Sequence, residues 1–433
     1  GIEALPQNAL LRQALGDLCR ERQRWDEARA HFAQAARLDP HLRSVYDSWG
    51  RMEASLGRHT FAAELLQRGL ELEPTARTYH ALGVLQDSKL GQRDQARETL
   101  RRGLRLPDEH RNPQLLHALG KLEAAAGNAP AARAHYLAAI DAAPSFTMAH
   151  LALGKLEEGL GRYETAARVY AQGATTLQPD GGMGPVQLWQ SWARMEQRRG
   201  RPLSARRLYE RACRHHPKDA RLLSEWARLT AELGDPAQAR AIFSRVLALR
   251  PAPPAYAWRA AAALQVREGN ISEARELFVR GVSLQLRRLR PGDNAAAEAV
   301  VPLVHAWAVC EWKHGAAADA RALFRRAELL APSPCAWVFL WRARFEASCG
   351  EAGSHHLARH YYARAVNAAP FDPMIWRLWA ELEAAHGDAP RAALYSKRSQ
   401  EVETLSALRE RSDASPSPSL RPPSPAAPRA TLS

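Results

Sequence analysis

A glycine stands five residues before an alanine ten times along this chain: Gly57/Ala62, Gly91/Ala96, Gly127/Ala132, Gly161/Ala166, Gly200/Ala205, Gly234/Ala239, Gly269/Ala274, Gly315/Ala320, Gly353/Ala358 and Gly387/Ala392. An eleventh unit differs only in having Gln23 in the glycine's place before Ala28. Proline falls twelve residues beyond the alanine at Pro40, Pro74, Pro144, Pro217, Pro251, Pro332 and Pro370, and one place off at Pro107 and Pro179. The period runs from 34 to 46 residues. Each mark has a local cause. Glycine takes the left-handed conformation that ends a helix, a small alanine lets two helices approach, and proline stops the second helix.

Four residues after the alanine the second helix carries an aromatic residue or leucine: Phe32, Leu66, Leu100, Tyr136, Tyr170, Tyr209, Phe243, Phe278, Phe324 and Tyr362. That spacing puts both on one helical face. A lone hairpin cannot bury such a face, so the hairpins must stack, and the predicted fold is an all-α, right-handed superhelical solenoid of about eleven units. Two segments interrupt the order, from Gln178 to Pro185 and from Gln285 to Pro302, the second with Arg287, Arg288 and Arg290; both are expected to be loops. After about Ser406 the Ser/Pro-rich sequence cannot form a packed core and reads as disordered.

A repeat array overrides the two or three domains that 433 residues would otherwise suggest. No run approaches the roughly eighteen uninterrupted apolar residues of a membrane span. The net charge is +14, of which residues 406–433 hold only +2, so the repeats are basic and attract polyanions. Five cysteines, Cys19, Cys213, Cys310, Cys335 and Cys349, form no CxxC pair. Neither a disulfide framework nor a zinc site is expected, and a reducing compartment is implied. His356 with His360 and Cys310 with His314 have helical spacing but no further ligand near in sequence, so no metal is expected. No phosphate-binding loop, nucleophile elbow or HExxH motif occurs, which points away from an enzyme and from any cofactor.

From the middle of the chain onward the first helix gains tryptophan: Trp189 with Trp192, then Trp226, Trp258, Trp307, and Trp376 with Trp379. A glutamate follows the small residue of that helix by three places, at Glu53, Glu123, Glu157, Glu196, Glu311, Glu346 and Glu383. Helical spacing assigns the tryptophans to the core and lets the glutamate pair with the arginine after the second-helix alanine (Arg206, Arg321, Arg359). The best copy reads Trp189-x-x-Trp192-Ala193-x-Met195-Glu196, then Ala205-Arg206-Arg207-Leu208-Tyr209-Glu210-Arg211-Ala212. It resembles the half-a-TPR (HAT) repeat, a relative of the tetratricopeptide repeat (TPR), over residues 8 to about 405.

On that resemblance residues 1–7 are an N-terminal extension, 8–184 hold repeats one to five, 185–405 hold repeats six to eleven with the connection 285–302, and 406–433 are a tail. An array graded from TPR-like to HAT-like is similar to the plastid HAT-repeat proteins that bind the 5′ regions of photosystem II transcripts. The resemblance implies single-stranded RNA binding that protects a transcript from exonucleases and promotes its translation, and a place in the chloroplast stroma or, as the alternative, the nucleus. Trp341 sits one place out of column, the tenth repeat has an insertion before Gly353, and most early repeats lack the tryptophan.

In stacked hairpins of this type the first helix lines the groove, and the residue after the small one points inward. That place holds Arg51, Lys121, Lys155, Arg194, Arg228 and Arg344, whereas the terminal units have Asp17 and Glu381. Four places earlier come Gln13, His80, His117, Gln190, Ser224, Arg259, His305 and Arg377, side chains able to hydrogen-bond base edges. Two functions fit a basic groove. One is RNA binding through Arg51, Lys121, Lys155, Arg194, Arg228, Arg344, His117, Gln190, Arg259, His305 and Arg377. The other is a protein-interaction scaffold in an RNA-processing complex, with the same cations holding an acidic or extended peptide.

Overall fold

A computed structural model describes residues 8–176, 184–290, 292–315, 317–351 and 353–414, with side chains to Leu408. Among the described residues it is a solenoid of helical hairpins without strands. The hairpins are α1 (Ala9–Glu21) with α2 (Trp25–Leu38), α3 (Arg43–Ser55) with α4 (His59–Leu72), α5 (Ala76–Ser88) with α6 (Arg93–Leu104), α7 (Pro113–Ala125) with α8 (Ala129–Ala142), α9 (Thr147–Gly159) with α10 (Tyr163–Thr175), and α11 (Val186–Arg198) with α12 (Pro202–His215). They continue as α13 (Ala220–Glu232) with α14 (Pro236–Leu247), α15 (Ala255–Arg267) with α16 (Ile271–Leu286), α17 (Asn294–His314) with α18 (Ala317–Leu330), α19 (Ala336–Cys349) with α20 (Ser354–Ala368), and α21 (Pro373–Ala385) with α22 (Ala389–Ala414). Two compact units divide the chain, residues 1–229 and 230–433, with the division inside α13.

The marks of the repeat do the work their chemistry suggests. Gly57, Gly127 and Gly161 follow their first helices with φ of +84°, +79° and +72°, and Gln23, in the glycine's place, is held at φ +60°. Gly315 departs from the pattern, with φ −132°. The second-helix alanines Ala28, Ala62, Ala96, Ala132, Ala166, Ala205, Ala239, Ala274, Ala320 and Ala358 are fully buried. The small first-helix residue faces the large second-helix one: a Cβ added at Gly16 would lie 2.6 Å from the Phe32 ring, and one at Gly83 2.6 Å from Leu100. Small and large therefore form one interlocking pair per hairpin, and dense packing leaves no room to enlarge the small partner alone.

The glutamate column is a ladder of charged bonds between successive hairpins. Arg29 donates to Glu53 at 2.7 Å, Arg97 to Glu123 at 2.7 Å, Arg133 to Glu157 at 2.5 Å, Arg275 to Glu311 at 2.7 Å, Arg321 to Glu346 at 3.0 Å and Arg359 to Glu383 at 2.8 Å. Each arginine follows a second-helix alanine, and each glutamate lies on the next first helix. The indole N–H of Trp49, Trp307 and Trp379 donates to Glu53, Glu311 and Glu383, at 3.0 Å in each case. Tryptophan and glutamate thus form one structural device, in which a buried carboxylate is fully bonded by its neighbours. Of the tryptophans that spacing assigns to the core, Trp189, Trp226 and Trp258 are buried and Trp192, Trp307, Trp376 and Trp379 are half-buried, while Trp337 is 39% exposed.

One expected loop and one expected boundary differ. The segment 285–302 is mostly helical: α16 continues to Leu286 and α17 begins at Asn294, where the Asp293 side chain accepts the Ala296 N–H at 3.0 Å. Pro302 lies inside α17, so the connection shortens to 287–293, which holds Arg287, Arg288 and Arg290. The alanine-rich start of α17 outweighs the single hydrogen bond that the proline removes. At the C-terminal end α22 runs to Ala414, past Ser406, because no proline or glycine occurs between Arg391 and Ser415. Residues 1–7, most of the segment from Gln178 to Pro185, and the tail from Ser415 lie outside the described residues. No helix among the described residues is long and apolar enough to cross a membrane.

Candidate functional site

Within residues 8–229 the first helices pack against one another in succession, α5 on α7, α7 on α9 and α9 on α11, so residues at one place in the repeat become neighbours. Polar side chains join them as well: Ser44 of α3 donates to Gln13 of α1 at 2.7 Å, and Thr78 of α5 donates to Asp47 of α3 at 2.7 Å.

Electrostatics show which cations meet. Burial lowers the affinity of the half-buried Arg51 for its proton, and Arg77 on α5 lowers it further. His80 is held below the ordinary histidine range by burial and then by Arg51. Burial also lowers His117, with contributions from His80 and Lys121. Arg51, Arg77, His80, His117 and Lys121 therefore form one basic surface across α3, α5 and α7. His117 is braced by the rings of Tyr136 and Phe146, with centroids 5.9 and 5.8 Å away. Lys121 is exposed and has no ion-pair partner among the described residues; the same is true of Lys155 on α9.

Other expected groove residues are committed elsewhere. Arg194 and Arg228 both bond Glu225 of α13, at 3.3 and 3.1 Å, so one carboxylate neutralises part of both. Gln190 is buried in α11, and its amide nitrogen has no protein partner.

In residues 230–433 burial pushes His305 down to about 4, and Arg259 lowers it further. The His305 ring stands edge-on to Trp337 and Trp341, at 4.8 and 5.8 Å. The Arg344 guanidinium lies over the Trp341 ring at 4.9 Å. This second surface is aromatic as well as basic, and Arg377 on α21 is exposed. Sequence spacing missed Arg77 because it lies three places before His80, outside both columns, and it missed Glu225 because a single acid in an otherwise basic stripe carries no periodic signal. Trp337 falls outside the tryptophan columns of the repeat, so the spacing carried no signal for it.

Among the described residues no group of three or more His, Cys, Asp or Glu side chains is placed to hold a metal. The five cysteines are unbridged, and Cys19, Cys213 and Cys310 are buried.

Comparison with known proteins follows the same lines. Tetratricopeptide-repeat family models match residues 76–110, 117–181 and 186–229. No curated protein matches by sequence. Among solved structures, yeast Tom70 is 14% identical, with 94% of this chain and 95% of that one covered at a TM-score of 0.46. PilW, a widely conserved type IV pilus biogenesis factor, is 16% identical over 49% of this chain and 96% of its own, with a TM-score of 0.40. YrrB, a TPR protein with an unusual peptide-binding site, is 19% identical over 40% of this chain and 87% of its own, with a TM-score of 0.33. Over these three stretches the hairpins described above match the tetratricopeptide-repeat models.

Proposed function

We propose that the chain is a protein-interaction scaffold whose first helices, within residues 8–229, hold an extended acidic segment of a partner protein. One observation carries the reading: Arg51, Arg77, His80, His117 and Lys121 adjoin on three successive first helices, and the Asp47 carboxylate whose field reaches Arg51 is already bonded to Arg43 and Thr78. An extended peptide advances about 3.3 Å per residue. First helices about 9 Å apart would therefore meet every third residue or so. Acidic side chains at that interval would each reach a cation.

RNA binding remains the competing reading, and bulk charge is its main support. Much of that charge is accounted for inside the fold. Arg29, Arg97, Arg133, Arg275, Arg321 and Arg359 are spent on the glutamate ladder, and Arg194 and Arg228 share Glu225. In the Trp307–Glu311 and Trp379–Glu383 copies, the Trp–Glu pattern that suggested RNA metabolism has a structural role in the same ladder.

The test is selection in parallel from a displayed library of random twelve-residue peptides and from a random RNA pool. Acidic peptides should be enriched, and Arg51→Glu with Lys121→Glu should abolish their retention while helical content is unchanged. A defined single-stranded RNA motif enriched in place of acidic peptides would overturn the reading.

A further inference from the structure

Between the end of α18 and the start of α19 a cleft of about 320 Å³ opens on the surface, and it shares no lining residue with the basic surface proposed above. Leu329, Pro332, Pro334, Val338 and Phe339 give it apolar walls, and Arg364 of α20 gives it charge. Leu329 is 80% exposed, an unusual position for a leucine beside an open apolar cleft.

The charge here is unbalanced. Glu328 accepts from Arg342 at 2.7 Å and also from Arg364, so two guanidiniums share a single carboxylate. Arg342 is buried, and its Nε has no hydrogen-bond partner. Arg364 engages Glu328 through Nη1 alone and is 37% exposed, leaving donors available at the cleft. Both guanidiniums are fixed over aromatic rings, Arg342 over Tyr361 at 4.1 Å and Arg364 over Phe339 at 4.2 Å. Rings that hold an arginine in place reduce the entropy it loses on bonding an anion. The start of α19 adds to the same field: its N-cap residue Cys335 makes no side-chain cap bond, and that end of a helix favours negative charge. One acid opposes it, the exposed Glu298 of α17, whose field reaches Cys335.

We propose that this cleft is a second binding site, which takes a carboxylate carried beside an apolar side chain of a partner peptide. The carboxylate bonds the free donors of Arg364, and the apolar group covers Leu329, Pro334 and Phe339. The Arg364 guanidinium lies 4.2 Å from the Phe339 ring, so both groups belong to one residue, and the C-terminal residue of a partner, with an apolar side chain and its carboxylate on one Cα, supplies them.

The experiment uses the full chain labelled with 5-fluorotryptophan and reads the fluorine signal of Trp337, in the first turn of α19, assigned through Trp337→Phe. N-acetyl-leucine mimics a terminus, and N-acetyl-leucyl-aspartamide carries only a side-chain carboxylate. N-acetyl-leucinamide has no carboxylate, and acetate has no apolar group. N-acetyl-leucine should shift the signal saturably, whereas the leucinamide and acetate should not, and binding of the leucyl-aspartamide in place of N-acetyl-leucine would overturn the assignment to a chain terminus. Arg364→Gln should weaken binding at least tenfold, and Glu298→Gln should tighten it two- to threefold. Ser333→Trp, on the exposed loop, should block the cleft and serves if Arg364→Gln disturbs folding. Equal binding of the leucinamide, an equal response to acetate, or unchanged affinity in both Arg364→Gln and Ser333→Trp would overturn the proposal. These outcomes are independent of the peptide selection above, since none of the probes or variants involves α3, α5 or α7.

Discussion

Replacing Glu383 by glutamine tests the charged ladder where its geometry is most complete. The carboxylate is 1% exposed; it accepts from Arg359 Nε at 2.8 Å and from Trp379 Nε1 at 3.0 Å, and Arg359 Nη2 bonds its second oxygen. Glutamine keeps the size and one acceptor, so the Trp379 bond survives. Its amide NH2 then faces Arg359 Nη2, donor against donor, and the arginine is left with only Asp388, 3.7 Å away, as counter-charge. Removing one partner of a buried pair costs about 3–5 kcal/mol. Arg359 is 24% exposed, and water recovers part of the loss, so about 2–3 kcal/mol is expected. Because arrays unfold piecewise, a single melting temperature would blur the effect. Amide hydrogen exchange read helix by helix by mass spectrometry is the suitable assay. Exchange in α20, α21 and α22 should quicken by roughly thirty- to a hundredfold, following about 1.4 kcal/mol per tenfold. Residues 8–229 should be unchanged. Exchange altered by less than about twofold in α20–α22 would refute the claim that the ladder couples neighbouring hairpins.

Further perturbations follow from the same structure. Arg359 first, and then the Trp379 indole and other cations, hold Glu383 below the ordinary carboxylate range despite its burial. Its contribution is therefore present above the unfolded-state value and lost as pH falls through the lower folded one, so exchange in α20–α22 should quicken as pH falls through that range, and in Glu383→Gln this acid-induced loss should be absent. Gln23→Gly should raise stability by about 1 kcal/mol, because a left-handed non-glycine residue costs roughly that much, and urea unfolding checks it. Gly16→Ala should lower stability by about 1–3 kcal/mol, since the new Cβ meets the Phe32 ring at 2.6 Å; exchange in α1 and α2 reads it, and an unchanged rate would contradict the interlocking pair. Affinity for an acidic peptide should rise as pH falls from 7.5 towards 5.5, since an anion stabilises the charged forms of His80 and His117; fluorescence anisotropy against pH should show no such rise in His80→Phe/His117→Phe.

Much of the architecture was legible because a repeat states its physics many times. Gly57, Ala62 and Pro74 each carry one local instruction, and ten or so copies in register leave a helical hairpin array as the economical reading. The Arg321–Glu346 and Arg359–Glu383 bonds could be anticipated from spacing, since both partners occupy fixed columns. Where a single residue decides, the pattern was silent. Glu225, present once, changes the meaning of Arg194 and Arg228 from free cations to paired ones. The cleft beside α19 arises from Glu328, Arg342 and Arg364, three residues on three helices that share no column. Pro302 misled in the opposite direction: a residue that usually ends a helix sits within one, sustained by the apolar packing of Val300, Val301, Leu303 and Val304.

The most direct measurement of the scaffold reading is photo-crosslinking of a selected acidic peptide to the intact chain, with the sites mapped by mass spectrometry. The expected adducts lie on α3, α5 and α7 beside Arg51, Arg77, His80, His117 and Lys121, and they disappear in Arg51→Glu/Lys121→Glu. Adducts confined to the second helices, or undiminished in that variant, would contradict it.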